Sequence, residues 1–194
     1  MPSTTAPSSS SGPELSTVEL FETFDDDGRP RGLVPRNEVH RRGLWHRASN
    51  VFLFDGGGRL YLQRRASRKD VWPNAWDLSV GEHLQPGETF EQAAHRGLAE
   101  ELAVRGVALT PIGDVVRGCI EIPELQIRDF ELQQTFRGVY DGPIAADPAE
   151  VSDVRLTTLV ALARSVAATP DDFTPWLRSR LRALGPRLCA FGQT

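Results

Sequence analysis

A mixed α/β sandwich is the fold class that this sequence predicts. Short apolar runs separated by Gly, Asp and Pro clusters read as strands joined by turns. One strongly signalled amphipathic helix follows Thr89, and two more helical periods close the chain near 159–167 and 172–184. Strands interleaved with so few helices put those helices on a sheet. No internal repeat is present.

Taken in order, Val18 to Phe24 runs into the turn Asp25-Asp26-Asp27-Gly28, which lacks the spacing of a calcium loop. Ser49 to Phe54, Gly56-Gly57-Gly58 and Arg59 to Arg65 form a hairpin pattern. A loop through Trp72-Pro73-Asn74 leads to a short strand at Trp76 to Val80. Thr89 is then an N-cap with Gln92 as its capping-box partner, and Phe90, Ala94, Leu98 and Leu102 form the apolar stripe of the helix that follows. Strands are expected at Val107 to Val116, Asp129 to Val139 and Val154 to Leu156.

With 194 residues, 40% hydrophobic and 25% charged, the chain is long enough for one domain with a proper core. The expected domain spans 16–185, between a Ser/Thr/Pro-rich disordered tail over 1–15 and a C-terminal tail over 186–194. The net charge of -4 argues against a nucleic-acid partner. No segment reaches membrane-spanning length and no secretory signal opens the chain, so a cytoplasmic location is expected; a homodimer is left open. Cys119 and Cys189 have no metal-type spacing and read as free thiols. Among the 22 basic residues there is one lysine, Lys69.

The chemistry gathers around the capped helix. Glu100 and Glu101 are adjacent carboxylates on a rod that also carries Arg96, and oxygen ligands of this kind suit Mg²⁺, with a phosphate substrate completing its shell. The run from Glu82 to Val104 resembles the Nudix box. Glu88, Arg96, Leu98, Glu100, Glu101 and Val104 occupy matching positions; Glu82 stands at the first glycine, Gly97 at the glutamate after the arginine, and Ala103 at the last glycine. Gly97 is the costly departure, because the resemblance implies a metal-ligating glutamate there. A Nudix-type α/β/α sandwich with a mixed sheet is the fold it implies. Glu88 and Arg96 would tie the loop to the helix.

Outside the box the chain resembles one branch of the superfamily, the type I isopentenyl diphosphate isomerases and the hydrolases similar to them, over roughly Val18 to Leu184. Gly43-Leu44-Trp45-His46-Arg47-Ala48 looks like the first strand of that branch, with His46 on a metal ligand. Gln63 to Lys69 looks like its basic loop, where Arg65 and Lys69 match residues that hold the diphosphate, with Arg64 beside them. His83 matches a second histidine ligand, whereas Gly81 stands where the isomerase has its catalytic cysteine. His40 lies near a third family histidine, one residue out of register.

Asp129 and Glu131 alternate onto one strand face. They look like the acidic pair that completes the isomerase metal site, although the outward face of an amphipathic strand has the same pattern. The ligand set implied is His46, His83, Asp129 and Glu131, with Glu101 a further ligand acting through the diphosphate. A mixed N/O site of this kind suits Mn²⁺, Mg²⁺ or Zn²⁺ better than calcium, and Mg²⁺ or Mn²⁺ is the expected cofactor. Trp176, in Phe173-Thr174-Pro175-Trp176, matches an indole over the organic end of the substrate; a core position is its other reading.

The expected function is metal-dependent hydrolysis of a diphosphate joined to an organic group, nucleoside or isoprenyl. Glu100 and Glu101 would serve the metal, and Glu82 or Glu100 would be the base. The alternatives are an isomerase-like enzyme and a binding module that has lost catalysis.

Overall fold

In the computed structural model the described residues are 18–189, so the expected tail over 1–15 lies outside them. The elements are β1 (Leu20–Phe24), β2 (Pro30–Pro35), α1 (Arg36–Arg42), β3 (His46–Phe54), β4 (Leu60–Arg65), β5 (Trp76–Asp77), β6 (Val80–His83), α2 (Phe90–Leu102), β7 (Thr110–Pro111), β8 (Val116–Ile122), β9 (Ile127–Val139), β10 (Val151–Thr157), α3 (Leu159–Ala168) and α4 (Pro175–Cys189). No helix among the described residues is long and apolar enough to cross a membrane.

β3 is the axis of the molecule. It runs parallel to β9 from His46 opposite Glu131 to Phe54 opposite Val139, and antiparallel to β6 and β4. The main sheet therefore has the order β10-β4-β3-β9-β7, with β5, β6 and β8 paired to β4, β3 and β9. β1 and β2 form a separate antiparallel pair. Every second residue of a strand faces the same way, so β3 feeds two cores. Val51 and Leu53 pack with Val80, Ala94, Leu98 and Leu102 beneath α2. Phe52 and Phe54 pack with Leu62, Leu162, Phe173 and Leu177 beneath α3 and α4. Buried on both faces, β3 is a continuous apolar run over Val51 to Phe54 and carries buried polar residues before it, and the result is the α/β/α sandwich with a mixed sheet.

α2 starts where its caps require. The Thr89 side chain accepts from the Gln92 N–H at 3.2 Å, and the Gln92 side chain accepts from the Thr89 N–H at 2.8 Å. It ends at Ala103, a non-glycine residue in the left-handed region at φ +55°.

Several expected boundaries move. The strand expected over Val107 to Val116 is interrupted at Gly113, φ +74°, leaving the two-residue β7 and starting β8 at Val116. Trp76 to Val80 splits into β5 and β6, each paired to a different strand. The last helix begins at Pro175, after a short 3-10 turn at Pro170–Asp172, and runs on through Cys189, inside the stretch expected as tail.

Candidate functional site

One face of β3 carries His46, Ala48 and Asn50, and its neighbour β6 presents His83 opposite Ala48 and Gly81 opposite Asn50. Ala48, Asn50, Gly81 and His83 border a cavity of about 410 Å³, closed further by His40, Asp129 and Glu131 at one side and by Arg65, Asp77, Trp72 and Trp176 at another.

Ligand atoms of His40, His46, His83 and Asp129 all lie within 4.8 Å of one another. Asp129 Oδ1 is 3.3 Å from His46 Nε2 and 3.7 Å from His40 Nε2, while Glu131 Oε1 is 3.1 Å from His83 Nε2. The Nδ1 of His46 sits 3.0 Å from the Leu44 carbonyl, an arrangement that puts a proton on Nδ1 and leaves Nε2 free to ligate. Phe21, from β1, stacks on the His46 ring at 5.2 Å and lies 4.7 Å from that of His83, so an apolar plate holds the imidazoles in place.

Burial drives the pKa of both His40 and His83 down to about 3, with neighbouring histidines adding to the fall. For His46 burial pulls the same way, but the carboxylates of Asp129 and Glu131 outweigh it and the net shift is upward. His40 Nε2, His46 Nε2 and Asp129 Oδ1 are buried without a hydrogen-bond partner. Buried polar atoms are almost always paired, and unpaired nitrogen and oxygen converging on one point fit a divalent cation of the Mn²⁺ or Mg²⁺ type.

His40, one residue out of register in the sequence, joins the cluster because a helix carries it. α1 spans Arg36–Arg42, and Gly43 at φ +65° turns the chain back into β3. A glycine is needed at this left-handed position, and Gly43 following a polar stretch is the one local signal for that helix. Nothing in the sequence pointed to Phe21.

The box residues form a second group, on the α2 side of β6. Arg96 donates to both oxygens of Glu88 at 2.8 Å, to the His83 carbonyl at 2.8 Å and to Glu100 at 3.3 Å, and its guanidinium lies 3.2 Å from Glu82. Glu88 also accepts from the Gln85 N–H at 2.7 Å, so the loop is tied to the helix from both ends. The Arg96 hydrogen bonds hold the Glu88 carboxyl below the usual carboxylate range.

Glu100 and Glu101 do not face the same way. Successive residues on a helix point about 100° apart, so Glu100 is exposed beside Arg96, whereas Glu101 turns inward to accept from Gln63 Nε2 at 2.9 Å. Burial pushes Glu101 up to about 8 and Glu82 up to about 7; the Glu82 carboxylate adds to the rise of Glu101, while Arg96 restrains that of Glu82. Among the described residues of this group, Glu82 alone also borders the cavity.

The break at Gly97 has a steric cause. A Cβ there would lie 2.6 Å from Val80 Cγ1 and 3.1 Å from Glu82 Cβ, so α2 approaches β6 too closely for any side chain at 97. Gly81 differs: a Cβ would meet Asn50 Oδ1 and Leu78 Cδ1 at 3.7 Å each, ordinary contact distance. That position is open.

The basic loop divides in the same way. Arg65 donates to the Val71 carbonyl at 3.1 Å, lies 3.4 Å from Asp77 and stacks over Trp176 at 5.1 Å. Lys69 pairs with Glu150 outside the cavity wall. Arg64 does not border the cavity: alternation along β4 turns it to the opposite face, where it donates to the Asn74 carbonyl and lies over Trp76. Trp176 borders the cavity, edge-on to Trp72 at 5.2 Å, with its Nε1–H on the buried Asp77 carboxylate at 2.7 Å.

A NUDIX domain model matches residues 44–177. The chain belongs to the Nudix superfamily. It is 37% identical over 164 residues to an isopentenyl-diphosphate Delta-isomerase of Nocardia farcinica, covering 80% of this chain and 89% of that one. It is 35% identical over 159 residues to an uncharacterized Nudix hydrolase of Pseudomonas aeruginosa, covering 80% and 90%. Among solved structures it is similar to DR0079 from Deinococcus radiodurans, with a TM-score of 0.61 and 26% identity over 77% of this chain and 90% of that one. A MutT protein from Methanosarcina mazei, TM-score 0.56 at 16% identity and covering 77% and 96%, shares the fold. This Nudix domain therefore has relatives named for both isomerase and hydrolase chemistry.

Proposed function

We propose that this Nudix domain is a divalent-metal-dependent hydrolase of a small diphosphate ester. The observation that carries the reading is the pairing of a histidine and carboxylate cluster with a cavity in which position 81 offers no side chain. Moving a proton on and off carbon needs a positioned acid and base, and Gly81 supplies neither where the isomerase resemblance demands one. Hydrolysis asks less of that position.

His40, His46, His83 and Asp129 would hold the metal, with Glu131 orienting His83. When bound, the Mg²⁺ or Mn²⁺ supplies positive charge against the diphosphate and makes water a competent nucleophile near neutral pH. Arg65 grips a phosphate from the cavity wall, and Lys69 reaches one by leaving Glu150. Glu82 takes the proton of the attacking water, since it is the box carboxylate that meets the cavity. Glu88 and Arg96 hold the loop bearing Glu82 and His83 against α2, and Trp176 covers the organic group.

The second reading, an isomerase-like enzyme in which Glu82 replaces the missing cysteine, is favoured by the identity to named isomerases. Turnover of nucleoside and isoprenyl diphosphates with Mg²⁺ or Mn²⁺ in ¹⁸O-labelled water separates the two. Label in a phosphate product is the expected result, along with loss of activity in excess chelator and a drop of at least about 100-fold in Glu82→Gln with the fold retained. Conversion of isopentenyl to dimethylallyl diphosphate at a comparable rate, with deuterium entering carbon from heavy water, would replace hydrolysis by isomerisation.

A further inference from the structure

A cation lies beneath α4 where the helix should be apolar. Leu177, Arg180 and Leu188 are the side chains that α4 buries most deeply among its described residues, and Arg180 is only 7% exposed. Positions 177, 180, 184 and 188 have the spacing of a core-facing helix stripe, which normally carries leucine or methionine. Arg180 Nε has no hydrogen-bond partner, and no carboxylate among the described residues forms an ion pair with it. A guanidinium keeps its charge at any physiological pH. A buried charge is costly unless its surroundings supply a counter-charge.

The path of α4 identifies that counter-charge. The helix begins at β5, where the Thr174 N–H bonds the Trp76 carbonyl at 3.0 Å and Trp176 Nε1 reaches Asp77. It ends beside β9, where Leu188 joins Ile112 in one apolar cluster and the Ile112 N–H bonds the Thr135 carbonyl at 2.8 Å. Arg180, midway between these ends, therefore lies over β3 and β9. There the sheet is polar: Asn50 of β3 pairs with Thr135 of β9, and Gln133 and Glu131 continue the same face of β9. Burial holds Arg180 below its usual pKa range, and Glu131 is the one charge that offsets it. The Glu131 carboxylate accepts from Gln133 Nε2 on one oxygen and lies 3.1 Å from His83 Nε2 with the other. Gly118, cross-strand from Glu131, leaves the room that Gln133 fills, since a Cβ there would stand 2.9 Å from Gln133 Nε2. We propose that Arg180 is a positioning residue for the metal cluster: its buried charge holds the Glu131 carboxylate turned inward, and Glu131 in turn sets the His83 ring for ligation. This rests on the cluster being a divalent-cation site, and it applies to hydrolase and isomerase chemistry alike.

The test is Mn²⁺ affinity, measured by calorimetry on the full chain in wild type, Arg180→Met, Arg180→Lys, Glu131→Gln and the double variant Arg180→Met with Glu131→Gln. Replacing a buried charge by an apolar side chain of similar volume is often neutral or stabilising, so the melting temperature of Arg180→Met should hold or rise while its affinity falls. Removing an outer partner of a metal ligand weakens binding by about 10- to 100-fold, and that is the loss expected for Arg180→Met. Arg180→Lys keeps the charge and should recover most of the affinity. In the double variant Arg180→Met should add little to the loss caused by Glu131→Gln, because both act through one carboxylate. If Arg180→Met does not fold, Arg180→Gln takes its place in every comparison. Unchanged affinity without the charge would leave Arg180 a packing residue, and tighter binding would show that its charge merely repels the cation; either result overturns the proposal. Equal losses in the lysine and methionine variants, or additive losses in the double variant, overturn it as well. If wild type binds no Mn²⁺, the metal reading falls and this inference with it, whereas wild-type binding that is indifferent to Arg180 ends this inference alone.

Discussion

Replacing Asp77 with alanine would remove one carboxylate and strand four donors. Asp77 is 1% exposed and accepts from Trp176 Nε1 at 2.7 Å, Thr174 Oγ1 at 2.8 Å and the Leu78 N–H at 2.8 Å, with the Arg65 guanidinium 3.4 Å away. Hydrogen bonds to a charged group contribute about 1.5–3 kcal/mol each, and deleting one partner of a buried ion pair costs about 3–5 kcal/mol. These overlap, since the same desolvated carboxylate serves all four donors, and part is returned because burial already raises the pKa of Asp77 against the pull of Arg65. A net loss of about 3–5 kcal/mol is expected. At about 2–4 °C per kcal/mol for a domain of this size, the melting temperature should fall by roughly 10 °C. Asp77→Asn keeps the shape and one acceptor oxygen, so it should fall in between. Urea unfolding of the three proteins measures the difference, and steady-state kinetics should show KM rising as Trp176 loses its anchor. An alanine variant within about 0.5 kcal/mol of wild type would refute the view that this carboxylate pins α4 and the aromatic wall to β5.

Two further outcomes are expected. Without metal, stability should fall as pH rises from 6.5 to 8. The raised carboxyls of Glu82 and Glu101, at about 7 and 8, and the raised His46 all favour the folded state while protonated and lose that contribution as pH climbs through their folded-state values; His40 and His83, depressed to about 3, change their contribution only below 6.5. Melting temperatures across that window should decline, and saturating Mn²⁺ should remove only the His46 share of the slope; a flat or rising apo profile contradicts the shifts. Ala103→Gly should stabilise the fold. It relieves about 1–2 kcal/mol of left-handed strain at φ +55° on an exposed residue, offset by about 0.5–1 kcal/mol of added unfolded-state entropy, and a lower melting temperature would refute this.

The sequence was most legible where signals are local. Thr89 and Gln92 mark the start of α2 because a capping box needs only residues three apart, and the alternation of Asp129 and Glu131 placed both on the cavity side of β9. β2 and α1 escaped notice because they bury so little: α1 has one buried residue, Val39, and β2 none. His40 is therefore found only once the chain has turned at Gly43. The division of the acidic residues by β6 was also hidden. Glu82 and His83 are neighbours in sequence, but a strand sends neighbours to opposite faces, so the box carboxylates and the histidine cluster form two groups. Arg64 and Arg65 were parted by the same rule on β4.

The seat of α2 on β6 leaves position 97 no volume of its own. The Val80 methyl lies 2.6 Å and the Glu82 stem 3.1 Å from where a Cβ would stand. Restoring the glutamate of the box at 97 would therefore overpack this seam, and trimming Glu82 alone would not relieve it, because Val80 is the nearer obstacle. The helix can regain that carboxylate only by lifting away from the strand that carries His83.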